Sequence, residues 1–282
     1  MSPDTLQPVP VTLEEILSAT TELPVLPQVA VKIFEEMRSP NITAARMAEF
    51  IKKDPVLATA VLRVANSALY GARGRINDLA FAIARVGLSQ IRNLLLALVL
   101  RSQMSDPQVY GCEGAPLMEH GLATAFGAGL VADVAAVDSG QAFMCGLLHD
   151  FGKLALIKAL REREGVTTPC LPDDLAKVVD QLHAEAGEML CRKWELPEAV
   201  ALVARYHHEP DGAPEDAATI VATVSFADAL SHRLGLGRPQ DAEMNLLEHP
   251  AGRMLGIGEA KVKEIEEHLP GLFGMARSAL FV

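Results

Sequence analysis

Apolar residues recur along most of this chain at helical spacing, and no stretch alternates cleanly with period two. In "VLATAVLRVANSALYG" they fall at Val56, Leu57, Ala60, Val61, Val64, Ala65, Ala68 and Leu69, a broad stripe on one helix face that Gly71 ends. Val29, Ile33 and Met37 repeat every four residues between Leu23 and Asn41 and predict an amphipathic helix there. Start signals agree. Thr12 with Glu15 has capping-box spacing, Thr43 precedes a second helix, and Asp54-Pro55 caps a third. Asn77 or Asp78, Ser89 and Ser139 are the next candidate caps. Helices also follow over "PLMEHGLATAFGAGLVADVA", "GKLALIKALRERE", "PEAVALVARYHHEP" and "AATIVATVSFADALSHRLGLG". The segment from Asp173 reads as two helices or one bent one, and the tail as two short helices. The pattern predicts an all-α fold in two lobes, residues 1–105 and 106–282, divided by the turn-rich "SDPQVYGCEGAP".

Composition supports helix-on-helix packing, because half of the 282 residues are hydrophobic and only 5% are aromatic. A formal net charge of −11 argues against nucleic-acid binding. Lys52-Lys53 and Arg73/Arg75 read as solvated charges. The longest apolar run, Leu94 to Leu100, is too short to span a bilayer, and the first residues show no signal peptide. No membrane association is expected. Cys112, Cys145, Cys170 and Cys191 form no CxxC pair and suggest no disulfide framework, so the expected compartment is a reducing cytoplasm. Cys145 and Cys191 read as core thiols.

The chemistry lies in the second lobe. The run "CGLLHDFGKLAL" sets His149, Asp150 and Lys153 among apolar neighbours. His120, His183, the pair His207-His208 and Asp228 lie in or beside other apolar helices, each about one helical hairpin from the next. Imidazoles with carboxylates suit Zn, Fe or Mn. Each residue also has a plain alternative. A single His on an apolar helix is commonly a hydrogen-bonded core residue. Asp228 could cap or bind backbone, His208 could be a solvated helix end, and His183 could face solvent. His232, His249 and His268 sit near charged or turn residues and read as surface. Taken together, a buried carboxylate such as Asp150 needs a partner, either a metal ion or a charged histidine.

"HGLATA", "GLLHDFGKLAL", "YHHEP" and "SFADAL" resemble the HD superfamily of metal-dependent phosphohydrolases. The first lobe, from "LPVLPQVAVKIFEEMRSPN" through "DPVLATAVLRVANSALYG" to "RNLLLALVL", resembles the HDOD family, a bacterial signal-transduction output domain related to HD and HD-GYP proteins. The resemblance covers about residues 20 to 235. It implies a helical fold and a regulatory role without catalysis, acting through a signalling partner or a bound nucleotide. It also implies metal-ligand positions at His120, His149, Asp150 and Asp228, with His183, His207 and His208 matching the additional HD-GYP histidines. Lys153 matches the lysine of HDxGK, near the substrate phosphate. The segment "HHEPDGAPEDA" departs from the HD-GYP pattern by lacking its Gly-Tyr-Pro element. The alternative expectation is a metal-dependent phosphodiesterase using Asp150 and Lys153 catalytically.

Overall fold

The computed structural model describes residues 12–18, 43–67, 74–104 and 106–280. The helix expected from Leu23 to Asn41, the N-terminal arm and the stop at Gly71 lie outside the described residues. The first half contributes α1 (Leu13–Ser18), α2 (Ala44–Ile51), α3 (Pro55–Ala65), α4 (Leu79–Val86) and α5 (Leu88–Met104). The short α6 (Pro107–Tyr110) leads into α7 (Gly114–Ala135), α8 (Ser139–Leu148), α9 (Phe151–Glu164) and α10 (Asp173–Lys193). Then come α11 (Glu198–Tyr206), α12 (Ala218–Leu234), α13 (Pro250–Leu255) and α14 (Glu259–Leu280). No strand occurs among the described residues, and the fold is all-α.

The helix starts follow from side-chain acceptors for otherwise unpaired backbone N–H groups. The Thr12–Glu15 box forms reciprocally, at 3.3 and 3.1 Å. Thr43 Oγ1 accepts from Arg46 N–H, Asp54 Oδ1 from Val56 and Leu57, and Asp78 Oδ1 from Phe81. Two expected caps are replaced. Asp138, not Ser139, accepts from Gln141 N–H at 2.7 Å, because a carboxylate is the stronger acceptor. Ser89 lies inside α5, which starts directly after Gly87. The segment from Asp173 is one helix, and the tail is one helix with Pro270 inside it. Its apolar face, with Leu269 and Phe273, is buried on both sides of that proline, so packing carries the helix through the missing N–H. Val56 belongs to the expected stripe of α3 but is 71% exposed, because it stands in the first turn, outside the packed face.

Helix α7 is buried along most of its length and packs against α8, α12 and α14. Helix α5 crosses both α7 and α8. One continuous buried cluster runs from Ile16 through Leu95 and Leu96 of α5 to Leu122, Leu148 and Ala276. A second, around Phe226, Leu230 and Leu269, lies under α12 and α14. Each fully buried leucine contributes roughly 2 kcal/mol, and Leu147 and Leu148 anchor the end of α8 where the polar pair begins. Among the described residues no single helix is long and apolar enough to cross a membrane. The apolar pair α4–α5 is bent by 106° at their junction.

Contrary to the reading of the cysteine spacing, Cys112 and Cys170 form a disulfide, with Cα atoms 5.1 Å apart. The partners are 58 residues apart in sequence and meet only because the turn after α6 folds against the loop after α9. Cys145 and Cys191 are buried free thiols, as expected.

Candidate metal centre

Helix α8 ends at Leu148 and α9 starts at Phe151, so His149 and Asp150 occupy the corner between them. Asp150 stands at the N-cap position of α9, where an aspartate ordinarily binds backbone N–H groups. Its carboxylate makes no capping bond and points instead into the bundle. There it meets four histidines. Oδ1 lies 3.5 Å from His183 Nε2 and 3.6 Å from His207 Nε2. Oδ2 lies 3.6 Å from His149 Nε2 and 3.8 Å from His120 Nε2. Asp228, from α12, brings Oδ1 to 2.8 Å from His120 Nε2 and 3.6 Å from His149 Nε2. His208 Nε2 is 3.0 Å from His183 Nε2. The structure therefore brings all seven sequence-predicted ligand candidates together, in two groups that share Asp150.

Two glycines allow the approach. A Cβ on Gly152 would lie 1.9 Å from the carbonyl oxygen of His183, so α9 and α10 touch backbone to backbone. A Cβ on Gly237, at φ +74°, would lie 2.3 Å from His120 N, so the loop after α12 rests directly on α7.

Hydrogen bonds set the direction of the rings. Nδ1 of His149 faces Gly146 O at 2.7 Å, Nδ1 of His183 faces Asp180 O at 2.7 Å, and Nδ1 of His207 faces Ala204 O at 3.0 Å. Carbonyl oxygens only accept, so each Nδ1 carries a proton, and in the neutral ring Nε2 turns its lone pair inward. Several inward atoms have no hydrogen-bond partner: His120 Nε2, His149 Nε2, Asp150 Oδ1 and Asp228 Oδ1 are all buried and unpaired. His120 Nε2 approaches Asp228 Oδ1 at 2.8 Å, an ion-pair distance.

Burial opposes ionisation of Asp150, yet Lys153 first, and then His149 and His207, hold its carboxyl well below the usual carboxylate range. Burial likewise opposes ionisation of Asp228, and His120 and His149 hold its carboxyl low. Burial pushes His183 down to about 4 and His208 to about 3. Ionised carboxylates and neutral imidazoles are the states in which these side chains bind metal. Buried lone pairs converging without donors form the donor set expected of a cation site, and the residues fit Zn, Fe or Mn better than Mg or Ca.

Three residues correct or extend the sequence reading. His183 is buried rather than facing solvent. His232 is half-buried rather than on the surface. Its Nε2 is 3.6 Å from Asp228 Oδ1 and its ring centroid 4.9 Å from that of His120. It follows Asp228 by four residues, so one helix face carries both. Arg238 had no local signal, and its Nη2 lies 3.0 Å from Asp150 Oδ2. Lys153, also buried, reaches the same oxygen at 2.7 Å. His268 is exposed, and His249 is half-buried as the cap of α13, both apart from the cluster.

Lys153 and Arg238 also line a cavity of about 260 Å3 whose other walls are largely apolar, with Leu117, Ile157, Leu171 and Val179. A wider groove of about 1110 Å3, between α3 and α14, touches none of the clustered histidines or aspartates.

The sequence model of the HDOD domain matches residues 23–210. An uncharacterised protein of Treponema pallidum is 31% identical over 226 residues, which are 73% of this chain and 42% of that protein. Ribonuclease Y of Thermus thermophilus is 33% identical over 118 residues, 42% of this chain and 17% of that enzyme. The chain thus spans less than half the length of these curated relatives. Among solved structures, an HDOD domain protein of unknown function from Geobacter sulfurreducens superposes with a TM-score of 0.72. The two are 25% identical, and the match covers 95% of each.

Proposed function

This chain belongs to the HDOD domain family, and we propose that it is a signalling protein whose second half binds divalent metal and acts on a phosphoester. One observation carries the reading: beside Asp150, the inward atoms His120 Nε2, His149 Nε2, Asp150 Oδ1 and Asp228 Oδ1 are buried without hydrogen-bond partners. A pocket kept only to hold helices together would satisfy those atoms with one another. Here they face one another instead.

His120, His149, Asp150 and Asp228, with His232 beside them, would hold one ion. Asp150, His183, His207 and His208 would hold another. A metal so bound supplies an activated water and a polarised phosphoryl oxygen. The chain's own residues do the rest. Lys153 and Arg238 place two positive charges on the wall of the cavity, where they would offset the charge of a phosphate. The apolar walls behind them take the organic part of the ester and exclude water. The Nδ1 bonds to Gly146, Asp180 and Ala204 hold the rings in one tautomer.

The second reading is binding without turnover, with the occupied pocket presented to a partner protein. The family premise favours it, and the same experiment separates the two. Purified chain is loaded with Mn, Fe or Zn, metal content is measured, and turnover is followed on a generic aryl phosphoester and on cyclic dinucleotides. Stoichiometric metal with turnover that disappears in Asp150→Asn supports the enzyme. Stoichiometric metal without turnover supports the binding module. Absence of metal uptake overturns both forms of the proposal.

A further inference from the structure

Apart from the metal centre, the described chain holds one more cluster of reactive side chains, the disulfide between Cys112 and Cys170, both exposed. It ties the turn after α6 to the loop leading into α10. Backbone bonds run beside it. Cys112 N–H donates to Pro169 O at 2.8 Å, and Leu171 N–H donates to Glu113 Oε1 at 2.6 Å. Arg161 Nη2 donates to Thr168 O at 2.9 Å. The residue after each cysteine, Glu113 and Leu171, lines the cavity that Lys153 and Arg238 share. The disulfide therefore closes the outer wall of that cavity.

Two observations distinguish this bond from an inert staple. The first is access. Both cysteines are exposed residues, on the side from which a thiolate would attack. The other two cysteines are fully buried, and burial pushes the Cys191 thiol up to about 12 and the Cys145 thiol higher still, which keeps both unreactive. The second is the wall itself. Glu113 is held through one oxygen by Leu171, while its Oε2 is buried with no hydrogen-bond partner. An unpaired carboxylate oxygen gains by turning out to water, and the disulfide next to it opposes that movement.

We propose that Cys112–Cys170 is a reversible redox clasp that orders the wall of the cavity beside Lys153 and Arg238. Opening takes two exchange steps with a dithiol reductant. Its thiolate attacks one sulfur of the disulfide, forming a mixed disulfide and releasing the other cysteine. Its second thiol then attacks the mixed disulfide and releases the first. The reductant leaves as its own disulfide, and Cys112 and Cys170 each gain one electron and one proton. Closure is the reverse, with an oxidised dithiol. In the closed state Glu113 and Leu171 shape the cavity. In the open state the loop carrying Thr168 to Leu171 is released. The consequence for ligand affinity rests on the phosphoester reading.

The test uses the full chain in three forms: oxidised, reduced with dithiothreitol, and Cys112→Ser/Cys170→Ser. Thiol trapping with mass spectrometry reads which cysteines open, and amide exchange reads the wall. The clasp requires that native reduction exposes Cys112 and Cys170 while Cys145 and Cys191 stay unlabelled. Exchange over 111–117 and 166–175 is expected to rise about tenfold in the reduced and doubly substituted forms, with α7 and α8 unchanged. Reoxidation of the reduced chain restores protection. Phenyl phosphate, titrated into the Mn-loaded protein, is expected to bind the oxidised form about fivefold more tightly. Unchanged exchange, or no Cys112–Cys170 bond in the oxidised chain, overturns the clasp even if phenyl phosphate binds. Redox-dependent exchange without phenyl phosphate binding to either form upholds the clasp and overturns the phosphoester reading.

Discussion

Lys153 reaches Asp150 across one turn of α9, Nζ to Oδ2 at 2.7 Å, and both side chains are buried. A buried ammonium needs a carboxylate, and this carboxylate is also the one that stands between the two histidine groups. Charge balance and the proposed metal ligation therefore meet on one side chain. Lys153→Met is expected to destabilise the metal-free chain by about 3 kcal/mol, with Arg238 moderating the loss. Divalent metal then restores part of the stability, because it replaces the missing positive charge. Thermal melts with and without Mn check both halves.

Arg238 shares Asp150 Oδ2 but is less buried than Lys153 and lines the same cavity. Arg238→Ala is expected to weaken phenyl phosphate binding by roughly tenfold, the scale of one charge-assisted hydrogen bond. Metal content should not change, since arginine is not a ligand. Calorimetric titration beside metal analysis reads the two separately.

Acid should loosen the centre before it affects the carboxylates. The folded pKa of His183 is lowered to about 4, against an unfolded value near 6.5. The contribution of its neutral, buried state is fully present above the unfolded value and is lost as pH falls towards the folded one. For the metal-free chain this amounts to about 2 kcal/mol between pH 6.5 and 5. His208 shifts the same way but is exposed, and adds less. Urea denaturation at pH 7 and pH 5 should show the drop, and His183→Gln should flatten it.

Gly152 has no room for a methyl group, because the carbonyl of His183 occupies the place. Gly152→Ala is expected to cost about 3 kcal/mol, at the upper end for overpacking, since backbone and not a movable side chain must shift. It should also lower metal affinity, as α10 carries His183 away from Asp150. Melts and metal titration of the variant check this.

Much of the centre is legible in the sequence. Helical periodicity placed His120, the His149–Asp150 pair, His183, the His207–His208 pair and Asp228 in or beside different apolar helices, and a bundle gathers such residues. His232 was equally available, one turn beyond Asp228 on the same face, but its neighbours Ser231 and Arg233 pointed to a surface position. Arg238 and the Cys112–Cys170 pair had no local signal. They depend on where loops settle, across 88 and 58 residues of sequence. The caps show a finer limit. Ser139 and Asp138 are neighbours of similar capping habit, and only geometry decides between them.

The contact of Gly152 with His183, and of Gly237 with His120, gives this architecture a consequence for its cousins. The centre is assembled by vacant volume as much as by ligands. A homologue that keeps every histidine and aspartate but carries a larger residue at either glycine would pass any inventory of ligands and still lack the geometry. Competence within such a lineage should therefore be scored first on the two places where nothing protrudes.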